Sequence, residues 1–263
     1  MSGYAHDVEV ARRQREALAE RDHRPWPLAD GPWIMGQTWE HLMFAHWRVS
    51  AQQLRKVVHP EIPLDTFDRS AWLGVTPFTV TGLHARGTPP PPLVSSFHEI
   101  NVRTYSTIDG KPGIYFLSLD AASRVAVEAA RTVYRVPYFR ADIEVEQDGE
   151  RVSYANERTQ PDGPAAGFAA TYGPNGPVYH AAPGSFEYWM AERYCLYTVD
   201  DEQRIHRGEI HHPPWPLQEA SVEITRNTMA QPYDIELAGD AVAHFVHRQD
   251  VLFWPLRPVE ARG

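Results

Sequence analysis

The chain has 263 residues, room for one large domain or two small ones, and a formal net charge of −9. An acidic chain without a basic stripe has nothing to replace counterions on phosphate, which argues against nucleic acid or an anionic membrane as partner. Its one cysteine, Cys195, excludes an intramolecular disulfide and a cysteine-rich zinc site.

Positive charge is almost all arginine; Lys56 and Lys111 are the only lysines, so amine chemistry has two side chains to draw on. No apolar run reaches the ~20 residues that span a membrane. The first twenty residues lack the apolar core of a signal peptide, and a cytoplasmic protein is expected. Eight Trp, twelve Tyr and ten Phe suit an aromatic-lined sheet or cavity.

In chain order, residues 5–22 read as a solvated terminal helix docked on the surface, and Pro25, Pro27 and Pro32 as an extended arm. Residues 34–49 carry apolar and aromatic side chains on both faces, a buried strand pair or one long bent strand. Ser50 is a helix cap for residues 51–58, and Pro60 and Pro63 end that helix. Residues 71–81 read as strand. Residues 88–95 contain four consecutive prolines and form an extended loop over the fold, a candidate lid.

The segment from Ser96 to Val145 is the most legible. From Glu99 to Tyr105, polar side chains take every odd position, a period of two that marks a strand with one polar face. Asp109-Gly110 signals a tight turn into a returning strand at 114–119. Asp120 or Ser123 can cap a helix to about Tyr134, and Arg135-Val136-Pro137 ends it before a strand at 138–145. Asp148-Gly149 joins that strand to another at 152–156. Residues 167–172 read as strand, 185–193 as a helix capped by Ser185, and 208–217 as extended. Strands at 222–227, 243–246 and 251–254 close the chain. With no internal repeat or composition break, one antiparallel barrel or cone is expected. It spans 30–257, with 1–29 as helix and arm and 258–263 as tail.

Glu99, Asn101, Arg103 and Tyr105 share one side of one strand. The alternation alone does not say whether that side meets solvent or a barrel interior. If it is interior, Glu99 and Arg103 stand about 13 Å apart along the strand, too far to neutralise each other. Arg103 could then grip an anion and Glu99, with its pKa raised by burial, could move protons. His211 and His212 are adjacent and point to opposite sides, so they cannot share a metal; one can enter a cavity. His41 with His46, and His244 with His247, have no familiar metal spacing, so neither metal nor cofactor is expected. Glu187, Glu192 and Arg193 suit structural ion pairing, with Arg193 as a second anion contact. No nucleophile elbow, P-loop or dinucleotide fingerprint occurs.

The run Gln53-Leu54-Arg55-Lys56-Val57-Val58 before Pro60, then Phe97-His98-Glu99, Leu119-Asp120 and Val136-Pro137-Tyr138-Phe139, resembles the acetoacetate decarboxylase superfamily. More narrowly, HEINVRTY, LSLDAAS, GSFEYWMAERYCLY and IHHPPWPL are similar to the bacterial YqjF-like family across nearly all of residues 30–255. The resemblance implies a mainly β (α+β) fold. It is an antiparallel β cone around a central cavity, with short helices outside and an N-terminal helix. It also implies a cavity glutamate at Glu99, a second at about Gly74, and a Schiff-base lysine just after Pro137. Tyr138 and Phe139 stand there instead, and Gly74 carries no carboxylate, so the decarboxylation mechanism does not carry over.

The resulting expectation is acid–base chemistry on a small carbonyl or carboxylate compound. Glu99, Tyr138 and Tyr105 are its catalytic candidates, and Arg103, Asn101, His98, Arg193 and His212 its binding candidates. The alternative is a ligand-binding or sensing protein without chemistry. A weaker one has a histidine such as His212 holding haem or metal. The partner expected is a small molecule, anionic in the case that Arg103 faces it, and a homo-oligomer is compatible with this reading.

Overall fold

The computed structural model describes residues 2–91, 95–123 and 134–259. A helix, α1 (Ser2–Glu16), and a single 3₁₀ turn (Ala17–Ala19) precede eleven strands. The strands are β1 (Met35–Val49), β2 (Ala71–Ala85), β3 (Phe97–Ile108), β4 (Lys111–Ala121), β5 (Tyr138–Asp148), β6 (Arg151–Arg158), β7 (Gly167–Pro174), β8 (Cys195–Val199), β9 (Ile205–His211), β10 (Gln218–Asn227) and β11 (Val242–Pro258). Two short helices lie between them, α2 (Ala51–Arg55) and α3 (Phe186–Ala191).

All eleven strands join one sheet that closes on itself, because β1 pairs with both β2 and β11. Closure leaves no open edge at this seam. Between β4 and β11 the sheet divides. The end of β4, Leu119–Ala121, continues through β5, β6, β7 and β10 to the start of β11, at Phe245. The start of β4, at Ile114 and Tyr115, continues through β8 and β9 to the later part of β11, at Leu252. The ladders are antiparallel except for the short pairings of β4 with β5 and with β8.

Local chemistry explains the elements. Ser50 accepts from the Gln52 amide and Ser185 from the Tyr188 amide, so both short helices start at a hydroxyl cap. Asp109 and Gly110 both have positive φ, 54° and 71°, which matches the twist of the β3–β4 hairpin. Residues 34–49 resolve into one strand, with an extra residue opposite β2 between Glu40 and Ala45 and a left-handed His41 at φ 50°. That bulge changes which positions face inward. Met35, Gln37 and Trp39 line the interior before it, and Leu42 after it.

Two expectations differ from the structure. Residues 243–246 and 251–254 belong to one strand, β11. Asp120 lies inside β4 and is fully buried beneath Arg158, Nη2 to Oδ1 2.7 Å, so it is no helix cap. The helix expected between it and Tyr134 lies, for 124–133, outside the described residues. Helix α1 is docked on the surface, with Glu9, Arg12 and Glu16 on its exposed side: Gln14 is fully buried, donating to Thr38 Oγ1 and the Gly82 carbonyl, and Arg13 pairs with Asp250 at 2.7 Å.

Candidate functional site

The ring formed by β1, β2, β3, β4, β8, β9 and β11 encloses a cavity of about 620 Å³. Its walls join two apolar clusters. One includes Leu42, Phe78, Phe97 and Ile114; the other includes Leu119, Tyr134, Val136, Leu196, Ile210 and Phe253. Thr88, Pro89 and Pro91 of the proline-rich loop also line it. Residues 92–94 of the lid candidate lie outside the described residues.

The polar groups are concentrated on β2, β3 and β5. Phe97, Glu99, Asn101 and Arg103 are alternate residues of β3 and all line the cavity. The polar face of β3 therefore points inward. Register places Thr76 opposite Asn101 and Gly74 opposite Arg103. Directly opposed side chains on one face are near neighbours, so Thr76 joins this row. Tyr138, the first residue of β5, is brought to Glu99 by the β4–β5 pairing, and its hydroxyl donates to Glu99 Oε2 at 2.7 Å.

Glu99 is buried, and its pKa is raised to about 8. Loss of solvation is the main cause; Asp120 adds repulsion, and the Tyr138 hydrogen bond opposes both. At neutral pH the carboxyl is therefore mainly protonated. Oε2 is occupied by Tyr138, which leaves the other oxygen to carry the proton and donate it.

Arg103 is buried, its guanidinium 4.8 Å above the Phe44 ring centroid. Burial pulls its pKa down from the usual range, Tyr105 opposes this, and Arg193 adds to it. Its Nε and Nη2 have no hydrogen-bond partner, and no carboxylate among the described residues is within ion-pair distance. Asn101 Oδ1 and Thr76 Oγ1 are also buried without partners. Buried polar groups are rarely left so, and here three neighbouring residues are.

At Gly74, where the resemblance implies a second carboxylate, there is no room for a side chain. A Cβ there would meet His46 Nε2 at 3.0 Å and Arg103 Cγ at 3.3 Å. The space is already occupied by the arginine stem and the imidazole. Neither lysine lines the cavity: Lys56 is exposed beyond α2, and Lys111 pairs with Glu209 at 2.9 Å.

The remaining predicted residues lie outside the lining. Tyr105 is fully buried one step beyond Arg103, hydrogen-bonded to His46 Nε2 and beneath the Arg193 guanidinium. Arg193 is committed to Asp65, Nη1 to Oδ2 2.7 Å, as the ion-pairing reading expects. His98 is an even residue of β3, so it projects to the opposite face and bonds Thr79 Oγ1 at 3.0 Å. His212 stacks on Tyr194 and its nitrogens meet the carbonyls of Pro213 and Arg193, which places it in the packing behind the wall. Among the described residues no cluster of three metal-ligating side chains occurs. Sequence reasoning missed Thr76, Gln37 and His84 in the lining. Thr76, two positions before Phe78 and after the mostly apolar run 71–75, was the available signal.

Comparison with known proteins agrees with this architecture. Residues 36–250 match the DUF2071 family, described as uncharacterized conserved protein. The uncharacterized protein YqjF of Bacillus subtilis (strain 168) is 44% identical over 231 residues, covering 88% of this chain and 94% of that protein. Among solved structures, the enduracididine biosynthesis enzyme MppR complexed with pyruvate aligns with a TM-score of 0.59 and 11% identity, over 90% of this chain and 93% of that one. Acetoacetate decarboxylase from Legionella pneumophila subsp. pneumophila str. Philadelphia 1 aligns at 0.57 and 11%, over 91% and 93%. An acetoacetate decarboxylase-like enzyme from Sphingomonas wittichii RW1 aligns at 0.55 and 10%, over 92% and 100%. At such identities the shared property is the fold.

Proposed function

Because this chain belongs to the DUF2071 family and has an acetoacetate decarboxylase-like fold, we propose that it is a small-molecule enzyme using acid–base chemistry without an imine. Its substrate is a carbonyl or carboxylate compound held in the ring cavity. The observation that carries this reading is the buried Glu99 carboxyl, hydrogen-bonded by Tyr138, on the same strand face as Arg103, whose Nε and Nη2 have no hydrogen-bond partner.

The roles follow from chemistry. Arg103, with Asn101 and Thr76, supplies donors for a carboxylate. Glu99 donates a hydrogen bond or proton to a carbonyl oxygen and, once ionised, takes a proton from the adjacent carbon. Tyr138 steadies the glutamate in either state. Isomerisation, dehydration or cyclisation use these steps. Without a cavity lysine, a Schiff base is not part of the proposal. The complex of MppR with pyruvate is in keeping with a fold that can take a small oxo acid.

The test is proton exchange rather than a guessed reaction. In D₂O, the protein should wash deuterium into the C3 position of 2-oxooctanoate, followed by proton NMR. Glu99→Gln should lower the rate by roughly 10²–10⁴, the usual range for removal of a general acid–base group. Equal exchange by Glu99→Gln removes Glu99 from the chemistry. Binding without exchange by the wild type favours the non-catalytic ligand-binding alternative, which a cavity lacking a nucleophile also accommodates.

A further inference from the structure

The polar row occupies a small part of the cavity surface, and the rest is apolar. Phe116, Leu119, Val136, Leu196, Ile210 and Phe253 line the lobe facing β4, β8, β9 and β11. A volume of about 620 Å³ lies in the range of pockets that enclose drug-sized ligands, on the order of 300–1,000 Å³. A three- or four-carbon acid would satisfy Arg103 and leave most of this lobe unfilled. Water there would find few hydrogen-bond partners.

From this we infer that the ligand is an amphipathic monoanion: a carboxylate at Arg103, Asn101 and Thr76, joined to an alkyl or aryl body that fills the apolar lobe. This deepens the proposed function and rests on its reading of the cavity as the ligand site, but not on Glu99 chemistry. Three observations support it. Among the described residues that line the cavity, Arg103 is the one arginine or lysine, so one anionic head is matched there. The buried Arg103 Nε and Nη2 and Thr76 Oγ1 are donors still to be satisfied, and Asn101 Oδ1 beside them is an acceptor still to be satisfied. Leu119 and Phe116 of β4 stand opposite Asn101 and Arg103 in the β3–β4 register, and Leu196, Ile210 and Phe253 continue the apolar lining on β8, β9 and β11, so the lobe starts beside the donors and extends over strands that carry none of them.

Glu99 and Tyr138 stand beside this head site. Glu99 is one step along β3 from Asn101, and Tyr138 pairs in register with Leu119. The functional group next to the carboxylate is then the one presented to the acid, and the body extends past Leu119 toward Leu196 and Phe253.

The test uses three probes measured by titration calorimetry: 2-oxooctanoate with head and body, 2-oxobutanoate with the head alone, and 2-octanone with the body alone. At about fourfold per buried methylene, 2-oxooctanoate should bind on the order of a hundredfold tighter than 2-oxobutanoate. Arg103→Met should weaken 2-oxooctanoate by roughly ten- to a hundredfold and leave 2-octanone unchanged. Leu196→Phe, which shortens the lobe, should weaken 2-oxooctanoate while 2-oxobutanoate is unaffected; Ile210→Phe provides a second such variant if the first melts early. Equal affinity for the two oxo acids, or equal affinity for 2-oxooctanoate and 2-octanone, overturns the inference. Binding of the predicted pattern together with unaltered exchange in Glu99→Gln would overturn the chemistry and keep this ligand class.

Discussion

At Glu99, burial and a hydrogen bond act in opposite directions. Desolvation favours the neutral acid, Tyr138 favours the carboxylate, and burial prevails, with the pKa near 8. In the unfolded chain the same group titrates near 4.5. Below that pH both states hold the proton and the group is neutral toward stability. Between 4.5 and 8 the unfolded chain releases its proton while the fold retains it, so stability falls as pH rises. The slope is about 1.4 kcal/mol per pH unit at most, and it levels off once the folded acid ionises. Glu99→Gln should therefore gain thermal stability over wild type progressively from pH 5 to pH 8 in melting scans. A constant difference across that range would mean that Glu99 ionises normally. This residue was legible from period two and resemblance together; its partner row was not, because Thr76 sits on another strand and only register brings it to Asn101. His98 and His212 misled because residue type suggested chemistry while their hydrogen bonds serve packing.

Individual elements follow local rules where the chain supplies its own caps and turns. Ser50, Ser185 and Asp109-Gly110 were readable for this reason. Strand β11 was not readable as one unit, since His247, Arg248, Gln249 and Asp250 interrupt its apolar pattern. The structure accommodates them through distant partners. Asp250 accepts from Thr38 at 2.6 Å and pairs with Arg13, and Gln249 donates to the Pro213 carbonyl at 2.7 Å. Strand β4 has little slack where it meets β8. A Cβ on Gly113 would fall 2.6 Å from Tyr197 Cε2 and 2.9 Å from the Cys195 carbonyl oxygen. Gly113→Ala should cost about 1–3 kcal/mol in denaturant unfolding, because backbone on one side cannot retreat. Nearby, Arg158→Met would leave Asp120 buried without its bidentate partner and should cost about 3–5 kcal/mol in the same measurement. A loss under 1 kcal/mol would show that Asp120 is already neutral in the fold.

Across the whole molecule, two routes of strands connect β4 to β11, and the cavity lies in the shorter ring. The N-terminal arm fastens that ring from outside. Trp26 Nε1 donates to Glu209 Oε2 at 2.9 Å, Arg24 Nη1 donates to the Ile210 carbonyl at 2.9 Å, and Ile210 itself lines the cavity. Removing residues 1–29 should therefore lower the melting temperature by several degrees, roughly the effect of a few kcal/mol in a chain of this size. An unchanged melting curve would detach the arm from the fold's stability. A closed barrel or cone was expected from the many short strands and again from the resemblance, but not which strands meet at the seam. A closing seam is a long-range pairing between β1 and β11, and short-range patterns carry no record of it.

The account depends on a neutral, cavity-facing Glu99. Carbon-13 NMR of the glutamate side-chain carboxyls, with Glu99 assigned by its absence in Glu99→Gln, reads that state directly. The expected result is one carboxyl inflecting near pH 8. In Tyr138→Phe it should move higher, since the hydroxyl that favours ionisation is gone. A Glu99 carboxyl that titrates near 4.5 and ignores Tyr138→Phe would contradict the proposed acid.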